Sequence, residues 1–125
     1  MGFDVSQRKD TSNEGEWLEL EHEDGSPMDA RIKLLGYDSD VCQKQRRKNA
    51  DKRLKKRNFK TTSAELENEN ISLMVAATQD WEGFEDGGTA LECTQENVRW
   101  LYQNCPEVRD QVDAFMGDRS NFLHR

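Results

Sequence analysis

Thr94-Gln95-Glu96-Asn97-Val98-Arg99-Trp100-Leu101-Tyr102-Gln103-Asn104-Cys105-Pro106 is the stretch on which the fold turns. Val98, Leu101, Tyr102 and Cys105 stand at the i, i+3, i+4, i+7 spacing that gathers side chains on one helical face, and Thr94 is placed to cap the start. Pro106 either breaks this helix or opens the next at its first turn. Beyond it, Val108, Val112, Phe115 and Met116 repeat the spacing, and Phe122 and Leu123 close the chain. Upstream, Thr62 and Glu65 read as a capping box. They open a helix that carries Leu66, Ile71, Leu73, Met74, Val75, Ala76, Ala77 and Trp81, with Gly83 as its terminator. Leu66, Leu73, Ala77 and Trp81 fall near one face. Two short C-terminal helices folded back on this one give a small C-terminal helical core, and Glu85-Asp86-Gly87-Gly88 reads as a loop.

Towards the N-terminus the period changes from helical to alternating. Leu18 and Leu20 alternate with Glu19 and Glu21, and Ala30, Ile32 and Leu34 alternate with Arg31 and Lys33, on either side of a turn containing Gly25 and Pro27. This is a β-hairpin over residues 16–37, apolar on one face. Its other face sets Glu19 and Glu21 against Arg31 and Lys33, and the whole needs a cover to be stable. Residues 1–15 show no period and read as a disordered tail. The fold class is therefore α-dominated α+β: an N-terminal β-hairpin followed by about four helices, with residues 16–125 forming one small domain.

Charge is distributed unevenly. The chain of 125 residues is 34% hydrophobic and 34% charged, with a net charge of −7. Yet Val41 to Lys60 holds ten basic side chains against Asp51 alone, so the rest of the chain is strongly acidic. Asp38 and Ser39 are good N-caps for a basic helix over 39–60, whose apolar positions Val41, Ala50, Leu54 and Phe59 make a thin, broken stripe. Such a helix projects or docks lightly. Its cations serve solubility or protein contact rather than nucleic acid, because no aromatic interleaving and no leucine heptad accompany them.

Catalytic chemistry finds little to work with. His22 lies in an acidic strand, His124 is penultimate, and Cys42 has no histidine near it in sequence. Cys42, Cys93 and Cys105 form no CxxC pair, which argues against a disulfide framework or a zinc knuckle. Asp80, Glu82, Glu85 and Asp86 lack calcium-loop spacing, and no Gly-Lys-Ser/Thr follows the paired glycines. No enzyme, cofactor or metal is expected. With no long apolar run and no apolar core in Met1–Asp10, neither a membrane span nor a signal peptide is expected, and the host of these residues is a reducing cytoplasm. The aromatics least accounted for by core spacing are Phe84 and Trp100. With Trp81, and flanked by Arg53 and Arg57, they are the candidate partner-binding residues.

Three passages carry a family resemblance. They are Thr94 to Tyr102, then Pro106-Glu107-Val108-Arg109-Asp110-Gln111-Val112, then Asp118-Arg119-Ser120-Asn121-Phe122. With Trp81 to Gly88 and the Gly36-Tyr37-Asp38-Ser39 end of the hairpin, the sequence over residues 16–125 resembles the tail assembly chaperones of long-tailed bacteriophages. The resemblance implies a small, mostly helical, non-enzymatic protein of the host cytoplasm. It would coat the tape measure protein and keep it soluble until tail tube subunits displace it, self-associating along that chain, and be absent from the mature virion. The rival expectations are a small nucleic-acid-binding protein using the basic helix and a structural tail subunit retained in the particle.

Overall fold

The computed structural model describes residue 2, residues 12–56 and residues 62–123. The alternating segments form β1 (Glu16–Glu21) and β2 (Pro27–Leu34), antiparallel, with Leu18 opposite Ile32 and Glu19 opposite Arg31. After them come α1 (Asp40–Lys55), α2 (Ser63–Ala77), β3 (Thr78–Glu82), a small pair β4 (Glu85–Asp86) and β5 (Thr89–Ala90), α3 (Gln95–Asn104), α4 (Pro106–Gly117) and a 3₁₀ turn at Arg119–Phe122. The architecture is helix-dominated α+β with an N-terminal hairpin, as the periodicities imply. Among the described residues, no helix is long and apolar enough to cross a membrane.

The helix expected to run on to Trp81 ends instead at Ala77, and the chain continues as a third strand. Thr78 makes the switch. Its Oγ1 lies 2.7 Å from the Met74 carbonyl, capping a last-turn acceptor, and also 2.7 Å from the Tyr102 hydroxyl, while its backbone turns extended. β3 then pairs antiparallel with β2, Trp81 opposite Ile32, giving a sheet of order β1-β2-β3. This pairing satisfies the edge of β2 that a lone hairpin would leave open. Glu85-Asp86-Gly87-Gly88 is not a plain loop. Gly87 and Gly88, at φ 59° and 87°, turn β4 tightly into β5, the positive-φ pair that two-residue hairpins favour.

The core is also wider than the C-terminal helices. Leu20, Ala30, Ile32 and Leu34 of the sheet are buried together with Ile71, Met74 and Ala77 of α2, Val98, Leu101 and Tyr102 of α3, and Val108, Val112 and Met116 of α4. The helical face thus covers the apolar face of the hairpin. On the outer face Arg31 sits opposite Glu19, donates from Nε to Glu82 at 2.8 Å and lies 4.1 Å over the Trp17 ring. Glu21 does not face Lys33: a bulge sets it opposite Pro27, and Trp17 takes the position across from Lys33. The Glu21 backbone is instead held by the Gln111 amide, at 2.9 and 2.8 Å.

Of the expected tail, residues 1 and 3–11 lie outside the described residues. The end of that stretch is structured: residues 12–14 are helical and Ser12 is 3% exposed. The Ser12 carbonyl accepts from Gly36 N–H at 3.1 Å, and Asn13 Oδ1 accepts from Asp40 N–H at 2.9 Å, adding a second cap to α1.

Candidate partner-binding surface

Ser39 starts α1 by accepting from Cys42 N–H with its own hydroxyl, and the helix turns Cys42 and Asn49 inward onto α2. Cys42 Sγ lies 3.9 Å from the Leu73 carbonyl, and Asn49 and Arg53 reach Glu69, so the two helices run antiparallel. Between them, Asn49, Lys52, Arg53 and Lys56 face Glu65, Asn68, Glu69 and Ser72 across an open cleft of about 190 Å³. Only a thin strip of α1 is buried, and it is not the expected apolar stripe: Cys42 and Asn49 face inward, Val41, Ala50 and Leu54 are exposed, and Phe59 lies outside the described residues.

Two of its arginines are committed within the fold. Arg53 Nε pairs with Glu69 Oε1 at 2.8 Å, and Arg46 donates to the Tyr37 carbonyl at 3.0 Å while lying 5.7 Å from that ring's centre. Lys44, Arg47, Lys48 and Lys55 are exposed, and no acid among the described residues comes within ion-pair distance of them. Leu54, 64% exposed, stands beside this basic surface, whereas Leu66, 54% exposed, borders the groove between α1 and α2 with Arg46 and Arg53. Leu66 was expected on the core face. The signal that this part of α2 faces solvent is its isolation: from Ser63 to Asn70 the helix offers no other apolar side chain larger than alanine.

The candidate aromatics separate. Trp81 is 6% exposed, so it is a core residue and not an available anchor. As part of β3 it buries its ring against Phe84, centroids 4.8 Å apart, and donates from Nε1 to the Leu91 carbonyl at 2.7 Å. Phe84 is half-buried and packs on the core through that stack. Gly83 between them has φ +90°, and a Cβ there would stand 2.2 Å from the Asp29 carbonyl oxygen. Trp100 alone of the three is open, 56% exposed on α3 away from the Val98, Leu101 and Tyr102 face. Arg53 is half-exposed on α1, and Arg57 lies outside the described residues. The candidates therefore do not converge on one patch: Trp81 and Phe84 stack at the sheet edge, while Arg53 and Trp100 belong to different helices.

Titratable groups elsewhere serve packing. Burial pushes the Cys42 thiol up, which keeps it protonated and a poor nucleophile despite the basic run beside it. Burial also raises the Tyr37 phenol, whose hydroxyl donates to the Asp113 carboxylate, and Asn70 Nδ2 supports the same carboxylate at 3.3 Å. His22 lies 3.7 Å from Glu107 on an exposed edge. Among the described residues, no three His, Cys, Asp or Glu side chains gather as a metal site would require. Comparison with known protein families, with curated proteins and with solved structures finds no match.

Proposed function

We propose that this protein is a tail assembly chaperone of a long-tailed bacteriophage, a non-enzymatic protein that binds the tape measure protein in the host cytoplasm and keeps it soluble until tail tube polymerisation. The family resemblance over residues 16–125 supports this reading. The observation that carries it is Trp100: a large aromatic, 56% exposed, on a helix whose apolar needs are already met by Val98, Leu101 and Tyr102. An aromatic left outside a satisfied core suits reversible capture of apolar stripes on a long helical chain. Phe84, half-exposed at the sheet edge, is a second contact, and Arg53 flanks the α1 cleft.

The test is co-expression with the tape measure protein of the same phage. The wild-type chain should raise its soluble fraction, and Trp100→Ala should reduce that rescue while leaving the melting temperature unchanged. Unchanged rescue by Trp100→Ala would remove that residue as an anchor. No rescue by the wild-type chain, or its presence in purified virions, would overturn the chaperone reading in favour of a structural subunit.

A further inference from the structure

We infer that the outward face of α1 is a docking site for an acidic amphipathic helix, a surface distinct from Trp100. At 100° per residue, Lys44, Lys48 and Lys55 project nearly together, with Arg47 beside them, and this stripe points away from the buried Cys42 and Asn49. From Lys44 to Lys55 it extends about 16 Å, three turns of a facing helix. These four cations are exposed, and among the described residues no acid comes within ion-pair distance of them; Asp51 shares their face and is outnumbered four to one by them. Arg31, Arg53, Arg109 and Arg119, in contrast, each hold a carboxylate at 2.6 to 2.8 Å.

Charge complementarity selects an acidic partner, and the apolar residue beside the stripe selects its form. Leu54, 64% exposed, lies next to Arg47 around the helix, at the edge of the stripe. A helix with carboxylates at i and i+4 and a leucine-like side chain on the adjoining face would engage the cations and Leu54 at once. A nucleic acid backbone would leave Leu54 without a role, and no aromatic lies in α1 to stack on bases. The inference does not depend on which protein supplies the helix, so failure of tape measure rescue leaves it standing.

The probe is a labelled synthetic helical peptide with Glu on one face and Leu on the next, titrated with the full chain and followed by fluorescence anisotropy. Its controls are the same peptide with Lys for Glu, and a short DNA duplex. The Glu peptide should bind, weaken severalfold as salt rises, and weaken about tenfold in a Lys44→Glu, Lys48→Glu double variant. If the double variant melts early, Lys44→Gln with Lys48→Gln supplies the comparison, again with weaker binding expected. Equal binding of the Lys peptide, indifference to both double variants, or tighter binding of the duplex would overturn the inference. So would self-association of the protein abolished by Lys44→Glu and Lys48→Glu, which would assign the stripe to a second copy.

Discussion

At the scale of single residues, Gly83 is the position where the backbone leaves least freedom. Its φ of +90° is open to glycine and strained for any other residue, and an added Cβ would collide with the Asp29 carbonyl oxygen at 2.2 Å and the Ala30 Cα at 2.8 Å. Both neighbours are backbone of β2, so relief means moving the sheet. Gly83→Ala should lower unfolding free energy by about 2 kcal/mol or more in urea, through strain and steric clash together. Gly87→Ala is the control, because nothing lies within 4 Å of its Cβ position and only the φ strain of about 1 kcal/mol remains. Equal losses would mean that close approach contributes nothing at Gly83. Its selection as a terminator was legible, since a glycine ends the pattern either way, but the strand it terminates was not.

The two tyrosines give a residue-scale pH test. Tyr37 and Tyr102 are the whole complement, and burial raises both phenols above their ordinary value near 10, with the Asp113 carboxylate adding to the effect at Tyr37. Burial disfavours the charged phenolate, so the folded state holds its protons to higher pH than the unfolded chain. The resulting stability is fully present below about pH 10 and is lost as pH rises above it towards the folded values. The native protein should therefore show almost no phenolate absorbance near pH 10, whereas the urea-unfolded chain shows half. Simple titration of either tyrosine near 10 in the folded protein would contradict its burial.

At the scale of elements, the informative departure is at Thr78. The sequence Met74-Val75-Ala76-Ala77-Thr78-Gln79-Asp80-Trp81 keeps a helical period through Trp81, and a tryptophan four residues after Ala77 fits a helix face. What periodicity cannot register is a partner distant in sequence. The free edge of β2 and the Tyr102 hydroxyl, 24 residues on, both favour an extended Thr78–Glu82. The helices of the last third were legible because their signals are local: the Thr94 cap, the i, i+3, i+4 repeats and Pro106 at a first turn all lie within their own segments. Trp81→Ala should cost about 3 to 5 kcal/mol, since it removes a buried ring, its stack on Phe84 and the indole hydrogen bond to Leu91. Loss of less than about 1 kcal/mol would show that β3 does not close the core. The same reasoning corrects the tail: a chain starting at Gly15 loses the Ser12 and Asn13 contacts to Gly36 and Asp40, and should be less stable than the full chain by about 1 to 3 kcal/mol.

At the scale of the whole molecule, the candidate surface was legible in part, for a physical reason. Composition located the cations of α1 and the aromatics, but burial follows from packing among distant elements, so it moved Trp81 into the core and left Leu54 and Leu66 outside it. Charge then divides into two populations with different salt responses. The ion pairs that join elements, Arg31 with Glu82, Arg53 with Glu69, Arg109 with Glu67 and Arg119 with Asp38, all keep at least one partner substantially in solvent. Pairs of this kind contribute about 0 to 1 kcal/mol each and are screened. The fold itself rests on apolar burial that joins the sheet face to α2, α3 and α4. Urea midpoints should accordingly stay nearly constant as salt is raised from low to well above physiological strength, the net change in stability remaining within about 1 kcal/mol. Peptide binding to the stripe of Lys44, Arg47, Lys48 and Lys55 should fall over the same range, because those charges meet their partner only across an interface. A stability that dropped in step with binding would mean that α1 is held to α2 by its charges, and that salt unfolds the surface instead of screening it.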